Sequence, residues 1–326
     1  MNKPVLPDDE PLAVVRRGGT VESVHRGRVV YCDPTGELLE FIGDPEGYIH
    51  ARSAAKPFQA LPLILSGAAD SFGLTDEEIS VACASHNGEA RHLAVVRSLL
   101  EKAGLTENDL QNGAHPPFYP PAAAELARSG EVPQATHGNC SGKHAGMLAV
   151  CVHEGYDTRT YRSPDHPLQR RILKLLAETC GIAESAVSVS GDNCGVPTFA
   201  LPLRGLATGF ARLATGEELS DEVGSAALRI RDAMREHPFL VAGTGRLDTD
   251  LMETTSLVTK IGAEAVLGAG NPDGWGMAIK ISDGADRALP TAARAALARR
   301  GTTVRTKSKV LRGLHGETVG EIQALL

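Results

Sequence analysis

The stretch Arg52-Ser53-Ala54-Ala55-Lys56-Pro57-Phe58, RSAAKPF, marks the point where the chain changes character. Before it, LAVVRRGG (12–19), TVESVHRGRVVYCD (20–33) and GELLEFIGD (36–44) alternate apolar with polar residues and stop at glycine or aspartate. That is the pattern of a small antiparallel sheet. After it, AAKPFQALPLILSGAAD (54–70) is a dense apolar segment of helical type. Proline is tolerated only in the first turn of a helix, so Pro57 predicts that this helix begins close to Ser53.

Further along, TDEEISVACASH (75–86) has a threonine cap and acids over its first turn, and GEARHLAVVRSLLEKAGL (88–105) is an amphipathic helix ended by glycine. AHPPFYPPAAA (114–124) reads as a loop, PLQRRILKLLAETCGI (167–182) as a helix, and SVSGDNCGVPTFALPL (188–203) as loop and short strand. The last third holds a helix in SDEVGSAALRIRDAMREHP (220–238) and two strands, in SLVTKIGAEAVLGAG (256–270) and GWGMAIKISDGA (274–285). A closing helix follows in RALPTAARAALARR (287–300). Strands at both ends of a chain tend to join one sheet. The expectation is an α/β fold with a mixed or antiparallel sheet from the two ends, a helical middle, and one catalytic domain over residues 1–326.

Bulk properties narrow the function. With 42% hydrophobic and 22% charged residues the chain is an ordinary folded protein. Aromatic residues at 4% and a net charge of -7 leave neither a stacking platform nor a basic footprint for nucleic acid or an anionic membrane. The opening MNKPVLPDDEPLAVV carries acids and prolines where a secretory signal needs a basic start and an apolar core, so a cytoplasmic location is expected. In a reducing compartment the six cysteines are buried thiols or ligands rather than a disulfide frame. Cys83, Cys151 and Cys180 lie on apolar faces and read as core.

On a helix, residues three apart share a face, so a deprotonated Lys56 amine is placed to take the proton of the Ser53 hydroxyl. Alone, S-x-x-K is also an ordinary helix start with a solvated lysine. Ser85-His86-Asn87 adds an S-x-N, or else an Asx turn, and Lys260-Ile261-Gly262 adds a K-x-G on a late strand. Its glycine would let a substrate lie against the strand edge. The three together, in this order, follow the pattern of serine acyl-enzymes.

HARSAAKPFQALPL (50–63), CASHNGE (83–89), HGNCSGKHAGMLAVC (137–151), GDNCGVPTFALPL (191–203), HPFLVAGTGRLDTDLM (237–252) and GWGMAIKISDGA (274–285) resemble segments of the L-asparaginase II family. The fold of that family is similar to serine β-lactamases and penicillin-binding proteins. The resemblance implies hydrolysis of L-asparagine by two Ser-Lys pairs, Ser53 with Lys56 and Ser85 with Lys260. It also implies a zinc site of Cys140, Lys143 and Cys194; two thiolates suit zinc, although a lysine ligand must lose its proton. A cytoplasmic homodimer is the accompanying expectation.

Arg52, Asn87 and Asp192 are the candidate substrate-binding residues, Arg52 through its planar fork on a carboxylate. Asp192 and His137 could equally orient metal ligands, and His137 could simply bond the backbone of a turn. Asp283 and Lys280 read as strand-end residues. Three alternatives stay open: a glutaminase, since one methylene is worth only about 1–3 kcal/mol of discrimination; a β-lactamase or peptidase, opposed by Ile261 within the K-x-G; and a zinc-stabilised binding protein without chemistry.

Overall fold

The computed structural model describes residues 7–304 and 309–326; the opening MNKPVL of the N-terminal stretch lies outside them. The strands are β1 (Glu10–Arg17), β2 (Thr20–Cys32), β3 (Leu38–Ile42), β4 (Tyr48–His50), β5 (Ser188–Gly191), β6 (Pro197–Pro202), β7 (Val258–Gly262), β8 (Val266–Asn271), β9 (Trp275–Ile281), β10 (Lys309–Arg312) and β11 (Thr318–Ala324). The main sheet runs β10-β11-β1-β2-β9-β8-β7, with β3 also paired to β2. Its pairings are antiparallel, in registers such as Val14↔Val24, Val30↔Ala278 and Lys260↔Gly268. The sheet is thus built from both ends of the chain with helices between, as the sequence pattern requires.

The run Val29-Val30-Tyr31-Cys32 at the end of β2 is completely buried because the sheet is covered on both faces. Val30 and Cys32 join the core of the helical middle, while Val29 and Tyr31 join the core under the helix Leu289–Arg299. This split follows from the alternation of side chains along a strand. The helix Leu203–Thr215, which the sequence reading passed over, packs across β2, β8 and β9.

Three expectations change. The apolar segment after Ser53 is a 3-10 turn, Arg52–Ala55, followed by two short helices, Lys56–Gln59 and Leu61–Leu65, because Pro57 and Pro62 each start a new one. SLVTKIGAEAVLGAG holds two strands, β7 and β8, hinged where Glu264 and Ala265 adopt φ of 62° and 54°. Part of the proline-rich loop is the helix Pro120–Ser129, prolines being well placed in its first turn.

Candidate active site

The 3-10 turn carrying Ser53 lies against β7, and the contact explains the glycine of K-x-G. A Cβ on Gly262 would stand 2.5 Å from the Ala51 carbonyl and 3.2 Å from the Ala54 nitrogen. The glycine therefore admits the Ser53 turn, and with Ile261 and Ala263 it also borders the cavity beside Ser53. A second close approach sets the cysteine segment: a Cβ on Gly142 would lie 2.1 Å from the Val81 carbonyl. The helix Ser141–Glu154, with Cys140 at its N-cap, thereby sits tight against the helix Asp76–Ala82 that leads into Ser85.

The Ser85 loop is held like a strand without being one. The amides of Ser85 and Asn87 donate to the carbonyls of Val241 and Ala242 at 2.9 and 2.8 Å, and that of His86 donates to Asn139 at 3.2 Å. Between them the His86 ring is fully buried, accepts at Nδ1 from the Gly88 amide (3.1 Å) and donates from Nε2 to Ser141 Oγ (2.8 Å). Burial, chiefly, pushes its pKa well down, so this histidine is a neutral strut.

These segments enclose a cavity of about 760 Å³ whose wall includes Arg52, Ser53, Ser85, Cys140, Asp192, Cys194 and Arg246. Behind the wall stand three buried lysines, Lys56, Lys143 and Lys260. A buried ammonium costs several kcal/mol unless it is paired or neutralised, so three together mark a site rather than a core.

Lys56 Nζ donates to Ser85 Oγ at 2.9 Å, to Cys140 Sγ at 3.2 Å and to the Ala84 carbonyl. Burial lowers its pKa, and nearby Lys143 adds to that while the cysteines oppose it. Ser53 is not among its partners. The stem of Lys56 runs into the core toward the Ser85 loop, whereas Ser53 borders the cavity. Lys260 Nζ donates to Asp248 (3.3 Å) and to the Ile261 carbonyl (2.8 Å), and not to Ser85. Burial brings its pKa down to about 8 against the pull of Asp248. The hydrogen-bonded serine–lysine pair is therefore Ser85 with Lys56, crossing the expected pairing of Ser53 with Lys56 and Ser85 with Lys260.

Cys140, Lys143 and Cys194 do come together. Lys143 Nζ donates to Cys194 Sγ at 3.2 Å. Cys194, with Lys56 and Lys143 nearby, holds the Cys140 thiol well below its usual range despite burial, while Cys140 and burial push Cys194 up. Burial would lower Lys143, but Cys194, Cys140 and Asp192 outweigh it and hold the ammonium above its ordinary value.

Among the described residues no three His, Cys, Asp or Glu side chains cluster to hold a metal. Two sulfurs and one nitrogen, with Lys143 Nζ 3.2 Å from Cys194 Sγ and Cys140 close by, are still a soft donor set suited to zinc, once Lys143 and Cys194 give up their protons. All six cysteines are free and buried, Cys83, Cys151 and Cys180 in the apolar core.

Arg52, at a strained φ of 49°, places both Nε and Nη2 on Asp192 Oδ1 at 3.0 and 2.8 Å. His137 accepts at Nδ1 from the Gln134 amide at 3.0 Å, a local turn bond. Asp283 accepts from His25 at 2.7 Å, and Lys280 caps strand-end carbonyls. Sequence reading missed Asp248, which accepts from Lys260, Thr259 and the Ile261 amide. The only sequence signal for it is an acid in HPFLVAGTGRLDTDLM (237–252).

The chain matches the L-asparaginase II family over residues 13–324. It belongs to that family. As a member it is an amidohydrolase. Among curated proteins none matches it. Several solved structures do: the protein Mglu at 16% identity and a TM-score of 0.48, covering 87% of this chain and 69% of that one; a probable glutaminase, ybaS, at 15% and 0.47, covering 86% and 87%; and a β-lactamase from Mycobacterium bovis at 13% and 0.42, covering 84% and 94%. Likenesses at this level say nothing about substrate. Among the described residues no helix is long and apolar enough to cross a membrane.

Proposed function

We propose that this member of the L-asparaginase II family hydrolyses L-asparagine to L-aspartate and ammonia through a serine ester. The observation that supports this reading is the 2.9 Å hydrogen bond from the buried Lys56 amine to Ser85 Oγ at the edge of the cavity. With its pKa lowered, Lys56 serves as the base: it takes the hydroxyl proton as Ser85 Oγ attacks the side-chain amide carbon, then returns it to the departing ammonia. Water cleaves the ester in the second half-reaction.

Ser53, whose hydroxyl makes no hydrogen bond among the described residues, and Lys260, whose pKa of about 8 keeps it partly neutral, are proposed as the second pair, moving the proton of that water. Asp192 is proposed to take the substrate's α-amine. Its Oδ1 accepts from Arg52 and from the Asn193 amide, and its Oδ2 has no partner among the described residues.

Cys140, Lys143 and Cys194 would hold zinc, which in this proposal acts as a Lewis acid that orients the substrate. The remaining parts of the proposal are a homodimer, checked by the sedimentation mass, and a cytoplasmic location, checked by fractionation. The test of function is ammonia release by purified protein from asparagine, with glutamine in parallel. No release from asparagine defeats the proposal, and a clear preference for glutamine replaces the substrate.

A further inference from the structure

Two guanidinium groups border the cavity, and they are in different electrostatic states. Arg52 is committed to Asp192 through both arms of its fork, so the pair is internally neutral. Arg246 makes no ion pair among the described residues and gives a single side-chain hydrogen bond, Nη1 to Asn87 Oδ1 at 3.2 Å. Four of its five N–H donors are left for another acceptor. Asp286 borders the same cavity, exposed and without an ion pair to either arginine.

The position of Arg246 is built. It follows the Gly243-Thr244-Gly245 turn and is the N-cap of the helix Leu247–Thr254. Glu89 grips that turn, accepting from the Thr244 amide at 2.8 Å and from its hydroxyl at 2.7 Å. Asn87 Nδ2 donates to the Thr244 carbonyl at 3.1 Å, which turns Asn87 Oδ1 toward Arg246. Asn87 follows Ser85 by two residues, and Ser85 and Arg246 border the same cavity. That arrangement suits a short amino-acid amide whose amide carbon lies at Ser85 and whose far end lies at Arg246.

We infer that Arg246, held by Asn87, is the group that receives the α-carboxylate of the substrate, and that Arg52 instead holds Asp192 in place. The inference rests on the function proposed above. Asn87 is on this view a positioning residue. The cavity then reads the zwitterion at two points, the carboxylate at Arg246 and the ammonium at Asp192, and the reactive amide lies at Ser85.

The test compares each ligand with its analogue lacking only the carboxylate: asparagine with 3-aminopropanamide in turnover, and L-aspartate with β-alanine in calorimetric binding. In the wild-type protein the carboxylate should favour the intact ligand roughly 10- to 100-fold, the range for hydrogen bonds to a charged group. In Arg246→Ala that ratio should collapse to about 1–3, mainly through KM, with Arg246→Lys restoring part of it. In Arg52→Ala the ratio should persist whatever happens to absolute affinity.

A merely structural role for Arg246 would weaken both ligands of a pair equally and leave the ratio intact, which overturns the inference. So does a ratio that collapses in Arg52→Ala instead, or a wild-type protein that binds neither aspartate nor asparagine. Binding of aspartate that depends on Arg246, without any ammonia release, would sustain the inference while the proposed function fails.

Discussion

Replacing Lys56 by methionine removes an amine and keeps nearly all the volume of a completely buried side chain. The amine now serves three acceptors, Ser85 Oγ, Cys140 Sγ and the Ala84 carbonyl. Losing it leaves the Ala84 carbonyl unsatisfied, at about 1–3 kcal/mol, but it also ends the burial of an amine, so the net loss of stability should lie at or below that range. The catalytic loss is larger. A positioned base contributes about 10²–10⁴-fold, or roughly 3–5 kcal/mol on the barrier.

The assay is kcat/KM for ammonia release, with thermal unfolding recorded beside it, for Lys56→Met, Ser85→Ala and the double variant. If the two act as one unit, the double variant should be no slower than either single variant within a few fold. Because burial lowers the Lys56 pKa and the amine must be unprotonated to act, wild-type kcat/KM should rise with pH through that pKa. Residual activity in Lys56→Met should lack this limb. Activity of Lys56→Met within about tenfold of wild type, or effects that multiply in the double variant, would refute the pairing.

Gly262→Ala forces a methyl against the Ala51 carbonyl, 2.5 Å from the ideal Cβ; the strain should cost about 1–3 kcal/mol in unfolding and slow turnover by moving the Ser53 turn, and an unchanged melting curve would contradict the contact. Asp248→Asn removes the carboxylate that props up the Lys260 pKa, so any limb of the pH–rate profile near 8 should move to lower pH; a limb that stays in place assigns it elsewhere. Zinc should copurify near one per chain and be lost in Cys140→Ser, and chelated protein should lose affinity for asparagine more than turnover; zinc-free active protein, or turnover abolished at saturating asparagine, contradicts the orienting role.

Much of this molecule is legible in the amino-acid sequence. Alternation and turn residues mark β1 to β3, a threonine cap with its acids marks the helix Asp76–Ala82, and periodicity marks Ala90–Lys102 and Pro167–Thr179. These are local signals, carried by side-chain spacing along one element. The helix Leu203–Thr215 was passed over because LRGLATGFARLAT carries two glycines and little charge. It is stable through burial against the sheet rather than through its own propensity.

The chemistry divides in the same way. Which residues carry it was visible in short motifs, because Ser53 and Lys56, Cys140 and Lys143, and Lys260 and Gly262 are each neighbours in sequence. Which serine a lysine reaches was not. Helical spacing places Ser53 and Lys56 on one face, but a side chain as long as lysine answers to the space around it. The close packing at Gly142 and the anchoring of the Ser85 loop on Val241 and Ala242 put Ser85 Oγ, 29 residues away in sequence, at the end of the Lys56 stem. Asp248 and Arg246 gained their places in the same manner, from a turn gripped by Glu89. A motif names the chemical groups, and only the packing of separate elements sets the few ångströms that decide which proton goes where.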